Sequence, residues 1–200
     1  LFYWIVEALA TTGAVDAIVI DTDSPTIGEY CRQDFPDVVV LERPEHLRDG
    51  GTPMNEVLLS TTERVSADVY LQTHSTNPLL RSETIGAAIK GFSDRRSECD
   101  SLFSVTPLQT RLWDELVRPI NHNPALLLRT QDLPPVYEEN SCIYLFTREG
   151  LRESQNRIGK RPLMWPIPAE EAVDIDDEMD FRIAEMMCEL RLEGRGGSAG

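Results

Sequence analysis

Near the carboxyl end of the sequence, the acidic segment Val173–Phe181 contains four aspartates, the first two of which, Asp174 and Asp176, are separated by one isoleucine. In an extended chain alternate side chains share a face, so both carboxylates would point the same way. Two such hard oxygen ligands are the smallest protein contribution to a Mg²⁺ site that serves a phosphate substrate. The alternative is an acidic start to a following helix, capped by Asp176 or Asp177 and favoured by the helix dipole. The segment alone favours the helix start, and both interpretations stay open.

The composition narrows the classes of function. The chain has 200 residues, 41% of them hydrophobic, which is enough for one globular domain. No apolar run approaches the ~18 residues needed to cross a bilayer, so no membrane partner is predicted. Nineteen basic residues against 34 acidic ones give a net charge of −15, which argues against a nucleic-acid partner. A nucleotide substrate remains possible where a metal and a few arginines reverse the local potential.

The four cysteines are scattered along the sequence without a CxxC pair. This usage is typical of reduced thiols in a cytoplasmic protein and argues against a structural zinc site.

Short apolar runs alternate with helical stretches, and this order predicts a doubly wound α/β fold with a mainly parallel sheet. Strands are predicted at Ala17–Asp21, Val38–Leu41, Val69–Gln72, Ser101–Val105, Cys142–Phe146 and Leu163–Ile167. Helices are predicted at Leu1–Ala10, from Pro25 onward, and at Thr52–Val65, Ser82–Phe92, Thr147–Gln155 and Asp177–Leu190. The segment Leu112–Leu128 predicts an inserted β-hairpin, and residues 193–200 a flexible tail.

Four polar loops follow predicted strands or precede helices: Asp21–Ser24, Arg43–Thr52, Gln72–Asn77 and Asp174–Asp176. In a doubly wound sheet, ligands bind beyond the carboxyl ends of the strands. The loops are therefore expected to gather arginine, glutamine, threonine and the carboxylate pair at one edge, which makes metal binding by the pair the better interpretation.

The chain resembles the acylneuraminate cytidylyltransferases, or CMP-sialic acid synthetases, from Leu1 to about Leu190. The motifs that carry the resemblance follow the family's order: Thr22-Asp23-Ser24, Arg43-Pro44-x-x-Leu47, Leu71-Gln72 with Asn77-Pro78-Leu79-Leu80-Arg81, Gln131-Asp132-Leu133-Pro134 with Tyr137, Asn140 and Ile143-Tyr144, and Asp174-Ile175-Asp176. The related enzymes for 3-deoxy-manno-octulosonate share the fold, but the Gln-Asp-Leu-Pro and Asp-Ile-Asp segments are more similar to the sialic type.

The resemblance implies a nucleotide-diphospho-sugar transferase-like fold and Mg²⁺-dependent transfer of CMP from CTP to the anomeric hydroxyl of a nine-carbon 2-keto sugar acid, with release of pyrophosphate. By the same resemblance, Asp174 and Asp176 are the catalytic and metal-binding residues. Arg43 and Thr52 would contact the nucleotide phosphate or ribose. Gln72 would read the cytosine edge, because its amide offers both a donor and an acceptor.

The resemblance further places Arg129, Gln131, Tyr137 and Asn140 near the sugar acid, where an arginine suits a carboxylate. It also implies a homodimer formed through the Leu112–Leu128 hairpin.

Each of these residues has a structural alternative that the sequence leaves open. Arg43 fits an exposed loop arginine, Gln72 a strand end, and Arg129 a surface charge. Tyr137 fits a core aromatic, and Asn140 a turn residue with positive φ. His74, in the loop after Gln72, is interpreted as a solvated histidine rather than a catalytic base.

The chain also departs from the family pattern. The segment after Gln72 reads Thr-His-Ser-Thr-Asn-Pro, which is longer than the family's loop, and Ser141 replaces the usual glycine. The family's first strand and its Gly-rich, basic triphosphate loop have no counterpart in residues 1–192. We therefore expect this chain alone to be inactive or nearly so. The alternative functions are a non-catalytic nucleotide- or sugar-binding module and a nucleotidyltransferase for another sugar.

Overall fold

Helices and strands alternate along most of the chain. The computed structural model describes residues 1–196, with side chains up to Arg191. The helices are α1 (Phe2–Thr11), α2 (Pro25–Asp34), α3 (Met54–Arg64), α4 (Ser82–Asp94), α5 (Arg148–Ser154) and α6 (Glu178–Gly196). The strands are β1 (Val19–Thr22), β2 (Val39–Glu42), β3 (Tyr70–Gln72), β4 (Ser101–Leu108), β5 (Val136–Phe146) and β6 (Pro162–Pro166). Short 3-10 turns occupy Glu45–Leu47, Thr130–Asp132 and Ala169–Glu171.

The strands are divided between two sheets. β1 and β2 pair in parallel, with Val19 opposite Val39. The second sheet has the order β3-β5-β4-β6, in which β6 is parallel to β4 while β5 is antiparallel to β3 and β4. In this second sheet β3, β4 and β6 therefore share one direction, and β5 is reversed. The predicted α/β fold with mainly parallel strands is confirmed.

The second sheet has an apolar layer on each face, and β5 contributes side chains to both layers. Ile143 and Leu145 are buried beneath α1 and α4, whereas Tyr144 and Phe146 are buried beneath α3 and α5. This division follows from the two-residue period of a strand, which sends successive side chains to opposite faces. Tyr144 is thereby held on the face that α3 covers.

The prediction of a β-hairpin at Leu112–Leu128 is wrong. This segment contains one isolated antiparallel bridge, between Trp113 and Pro119, and otherwise consists of turns and irregular backbone. The antiparallel pairing is made instead by β4 and β5, which extend to Leu108 and from Val136. Pro119 and Pro124 lack the N–H groups that two longer strands would need, which explains why the ladder does not continue.

Local capping explains where several helices begin. The Ser24 side chain accepts a hydrogen bond from the N–H of Ile27 at 3.3 Å, and Pro25 follows it in the first turn of α2. At α6, Asp177 Oδ1 accepts from the Asp180 N–H at 3.0 Å and Asp180 Oδ2 accepts from the Asp177 N–H at 3.2 Å. This reciprocal pair is a capping box, so the interpretation of Asp177 as a helix cap is confirmed.

Helix α6 has 19 residues and ends at Gly196, beyond the end predicted at Leu190. The rest of the predicted tail, residues 197–200, lies outside the described residues. Across residues 1–196, no helix is both long and apolar enough to span a bilayer.

Candidate functional site

The end of β3 carries a group of polar side chains from three parts of the chain. Gln72 lies opposite Tyr144 in the β3–β5 register, so the two side chains share a face of the sheet. Arg157, in the loop after α5, donates from Nη1 to Gln72 Oε1 at 2.8 Å. Its guanidinium carbon lies 3.5 Å from the centroid of the Tyr144 ring, which is a close cation–π contact. We call Gln72, His74, Tyr144 and Arg157 the β3-end group.

His74 belongs to this group and is not a solvated loop residue. Its Nε2 lies 3.1 Å from Gln72 Nε2 and 3.3 Å from Arg157 Nη1. Both neighbours are donors, because Gln72 Oε1 already faces Arg157, so His74 Nε2 must accept and Nδ1 carries the proton. Burial and the Arg157 charge lower the pKa of His74 below its usual value, partly opposed by Asp174. His74 is therefore neutral at neutral pH.

Asp174 joins the site through the loop that contains His74. The Ile175 N–H donates to the Thr76 carbonyl at 3.0 Å, and Asn77 Nδ2 donates to the Val173 carbonyl at 3.3 Å. These bonds flank Asp174 on both sides. Burial raises the pKa of the Cys142 thiol to about 12, and the charge of Asp174 adds to that shift, which places this carboxylate near β5 as well.

The Asp174 carboxylate fits a cation. Its Oδ1 is buried and has no hydrogen-bond partner among the described residues. Asp176 is exposed, and its backbone N–H donates to Asp180. Among the side chains described, up to Arg191, no group of three or more His, Cys, Asp or Glu is arranged to hold a metal. A Mg²⁺ ion here would depend on phosphate oxygens and water for its other ligands, as is usual for Mg²⁺ with nucleotide substrates.

Arg43 is bound by the carboxylate of Asp21, which is largely shielded from solvent, and is therefore not an unpaired loop arginine. Its Nε donates to Asp21 Oδ1 at 2.8 Å, and Nη2 donates to the Asp21 carbonyl at 3.0 Å. Thr61 of α3 donates to Asp21 Oδ2 at 2.8 Å. The side chains of Arg43 and Asp21 are only 23% and 11% exposed, so this charge-assisted pair fixes the guanidinium in place.

Helix α3 connects the Arg43 pair with the β3-end group. Thr61 contacts Asp21, while Asn55 Oδ1 accepts from the Arg157 N–H at 3.2 Å. The two residues are six positions apart, or roughly 9 Å along the helix axis. Thr52 lies just before α3, where its N–H donates to the Asp49 carbonyl at 3.0 Å. Asp21, the partner of Arg43, and Arg157, the partner of Gln72, thus both contact α3, and Thr52 lies just before it. Contact of Arg43, Thr52 and Gln72 with a nucleotide stays a prediction.

The predicted sugar-binding residues do not join the β3-end group by hydrogen bonds. Arg129 makes a two-point ion pair with Asp132, at 2.7 and 3.0 Å, and its side chain is 72% exposed. Gln131 is also exposed, and its carbonyl accepts from Gln109. Tyr137 is 44% exposed on β5, so it is not the core aromatic that was one alternative. Sugar binding by these residues stays a prediction.

Asn140 is buried inside the β4–β5 ladder, where it shapes an irregularity in the pairing. Its Oδ1 accepts from the Ser104 hydroxyl and its Nδ2 donates to Thr106 Oγ1 at 3.0 Å. The register shifts at this point, between Phe103 and Val105 of β4. The positive φ belongs to the next residue, Ser141, at 58°. Asn140 thus joins β5 to β4 through its side chain, and its contact with a sugar stays a prediction.

Sequence reasoning missed Arg157 altogether and undervalued His74. A usable indication existed for His74, which stands two residues after Gln72 in the loop that departs from the family pattern. Arg157 stands in a polar loop without any motif, and it reaches Gln72 across 85 positions of the chain. That contact depends on the packing of α5 against α3, which the sequence pattern does not indicate.

Comparison with known proteins identifies the family of the chain. A sequence model of the family described as Cytidylyltransferase matches residues 1–190. The chain is 25% identical over 181 residues to post-translational flagellin modification protein B of Campylobacter coli, covering 85% of this chain and 76% of that protein. It is 23% identical over 192 residues to N-acylneuraminate cytidylyltransferase A of Danio rerio, covering 92% of this chain and 44% of that protein. The chain thus spans less than half the length of the zebrafish relative.

A solved structure supports the fold. The 4-diphosphocytidyl-2C-methyl-D-erythritol synthase of Anaerococcus prevotii superposes with a TM-score of 0.70 at 9% identity, covering 94% of this chain and 85% of that one. At such low identity this likeness concerns the fold alone. Because the family match extends over residues 1–190, the chain belongs to the cytidylyltransferase family, whose members are nucleotidyltransferases.

Proposed function

We propose that this protein transfers CMP from CTP to the anomeric hydroxyl of a sialic-acid-like nine-carbon 2-keto sugar acid, in a Mg²⁺-dependent reaction. The observation that carries the proposal is the buried, unpartnered Oδ1 of Asp174 beside the loop of His74, in a member of the cytidylyltransferase family. Relatives named N-acylneuraminate cytidylyltransferase support the choice of acceptor.

In this reaction the sugar oxygen forms a bond to the α-phosphorus, the bond to pyrophosphate breaks, and the hydroxyl proton is released. Mg²⁺, held by Asp174 and Asp176 with the phosphates, would neutralise the charge that develops on the leaving group. Arg43 is immobilised by its ion pair with Asp21 at the end of β2, so its guanidinium is oriented in advance. Oriented donors of this kind favour the transition state because they need no reorganisation during the reaction.

Gln72 retains the capacity to read a base. An amide oxygen has two acceptor positions and an amide nitrogen has two hydrogens. Arg157 and His74 use one of each, so one acceptor and one donor position remain for cytosine. Because Arg157 binds Gln72 Oε1, the orientation of the amide is fixed, and the remaining donor and acceptor positions have defined directions.

The test is a pyrophosphate-release assay on the natural gene product that carries this chain, with CTP, Mg²⁺ and N-acetylneuraminate. We expect Asp174→Asn to lower turnover by about 100-fold or more, because it removes a charged metal ligand. Chelation of Mg²⁺ with EDTA should stop the wild-type reaction. The matched control is Asp177→Asn, since asparagine caps a helix as well as aspartate does and turnover should persist.

Unchanged turnover in Asp174→Asn would contradict the proposed role of this carboxylate. A protein that binds the sugar acid but releases no pyrophosphate would instead be a binding module, and equal rates with UTP and CTP would contradict the choice of base.

The protein is further proposed to act as a homodimer through the segment between β4 and β5. This segment carries exposed apolar side chains: Trp113, Leu116, Val117, Ile120, Leu126, Leu127 and Leu128. Concentrated apolar surface of this kind is typical of protein–protein contacts. A cytoplasmic location also stays a prediction, and the four free cysteines agree with it.

A further inference from the structure

Arg157 is a half-buried cation without a counter-ion. Within the described part of the chain its guanidinium forms no ion pair, although the sequence carries 34 acidic residues. The nearby carboxylate of Glu139 accepts the Tyr144 hydroxyl instead. A partly desolvated charge is costly unless an opposite charge meets it, so this position favours an anionic ligand.

The guanidinium is oriented as well as unpaired. Stacking on the Tyr144 ring at 3.5 Å fixes the plane of the group. Nη1 is directed to Gln72, and the Arg157 backbone N–H is held by Asn55. Nε and Nη2 make no hydrogen bond among the described residues, and neither is a buried, unsatisfied atom. Two donors on one edge of a fixed plane therefore face accessible space.

Such an edge matches a carboxylate. The guanidinium edge offers two parallel N–H bonds, which is the geometry that a planar carboxylate accepts. A triphosphate carries several charges and is usually bound by a metal, several basic groups or a nest of backbone N–H groups. The neighbours of Arg157 in the β3-end group are neutral, since Gln72 is an amide and His74 Nε2 accepts from two donors, which requires an unprotonated nitrogen. A single monoanionic group is the ligand that this surrounding fits.

We infer that Arg157, oriented by Tyr144 and Gln72, binds the carboxylate of the sugar acid. This inference rests on the proposed function and deepens it, because it moves the carboxylate contact away from Arg129. Arg129 already has both oxygens of Asp132 and is largely exposed. Arg157 has no ion-pair partner among the described residues, and it contacts Asn55 of α3, Gln72 of β3 and His74 of the loop near Asp174.

The test compares N-acetylneuraminate with its methyl ester, which lacks the negative charge. We expect the wild-type protein to prefer the acid, and Arg157→Gln to raise KM for the acid by roughly tenfold to a hundredfold. KM for the ester and for CTP should change little, so the preference for the acid should disappear. The matched control is Arg152→Gln, at an exposed arginine of α5 that pairs with Glu63, and it should keep the preference. Arg157→Lys keeps a cation and should retain part of it.

The inference is overturned if Arg157→Gln still prefers the acid, or if its KM rises for CTP and not for the sugar, which would indicate a phosphate contact. Direct binding of N-acetylneuraminate, measured by calorimetry without CTP, separates it from the proposed function. Binding by the wild-type protein that is lost in Arg157→Gln, without any turnover, would support the Arg157 site and contradict the enzyme. If the wild-type protein turns over and Arg157→Gln binds N-acetylneuraminate as the wild type does, the proposed function is supported and the Arg157 site is contradicted. Absence of both binding and turnover in the wild-type protein would overturn the Arg157 site and the proposed function together.

If circular dichroism shows that Arg157→Gln is unfolded, Arg157→Lys takes its place in the test. The lysine variant is expected to keep part of the preference for the acid only if the positive charge is what binds the carboxylate.

Discussion

Ser141 adopts a left-handed backbone conformation, with φ of 58°, within the irregular part of β5. Residues other than glycine rarely occupy this region, because the Cβ atom approaches the following carbonyl oxygen. Its hydroxyl makes a long hydrogen bond with the Tyr144 hydroxyl, at 3.3 Å. The serine that departs from the family's glycine is therefore located where glycine is the less strained residue.

We expect Ser141→Gly to raise the free energy of unfolding by about 0.5–1 kcal/mol, since relief of the strained φ outweighs the greater freedom of glycine in the unfolded chain. Thermal and urea unfolding measure the change. Ser141→Ala is the control, because it removes the hydroxyl and keeps the Cβ atom. A glycine variant no more stable than the alanine variant would show that φ is not the cause.

Glu171 ties the segment after β6 to the start of α4. Its side chain is 3% exposed, its Oε2 accepts from the Arg81 N–H at 3.0 Å, and its Oε1 lies 3.7 Å from Arg81 Nε. Arg81 is the N-cap residue of α4 and has no cap from its own side chain. A carboxylate from a distant element therefore satisfies a free N–H at this helix end and interacts with the helix dipole.

At the level of this element, Glu171→Gln should lower the free energy of unfolding by about 1–3 kcal/mol, because it weakens a charge-assisted hydrogen bond made by a buried carboxylate. Chemical denaturation gives the value. Glu170→Gln, one residue earlier and exposed, should change stability by less than about 0.5 kcal/mol. Equal effects of the two substitutions would argue against the capping role of Glu171.

For the whole molecule, the apolar segment between β4 and β5 leads to a prediction about assembly. Leu127 is 91% exposed, which is costly for a leucine unless a partner covers it. Leu127→Asp should weaken a dimer formed through this segment by roughly tenfold or more, since it buries a charge at the contact. Sedimentation equilibrium measures the dissociation constant.

The control for assembly is Leu190→Asp, at a leucine that is 66% exposed on α6. A dimer that survives Leu127→Asp and dissociates with Leu190→Asp would move the contact to α6. A wild-type protein that stays monomeric at high concentration would contradict the proposed dimer.

Prediction from the sequence succeeded where neighbouring residues decide the structure. Ser24 with Pro25 starts α2, and Asp177 with Asp180 starts α6, because caps act within one helical turn. The hairpin prediction failed at Leu112–Leu128, where two prolines interrupt a pattern of apolar residues that otherwise resembles strands. The expected role of the Gly-rich loop stays a prediction.

The sequence by itself determined the order of helices and strands, the caps of α2 and α6, and the series of motifs that indicates the cytidylyltransferase family. Only the tertiary structure decided that Arg43 is bound to Asp21 and that Arg157 reaches Gln72. The physical reason is the separation along the sequence of the residues that make each contact. A cap or a strand period depends on residues a few positions apart, whereas a contact across 85 positions depends on how whole elements pack, which no local pattern records.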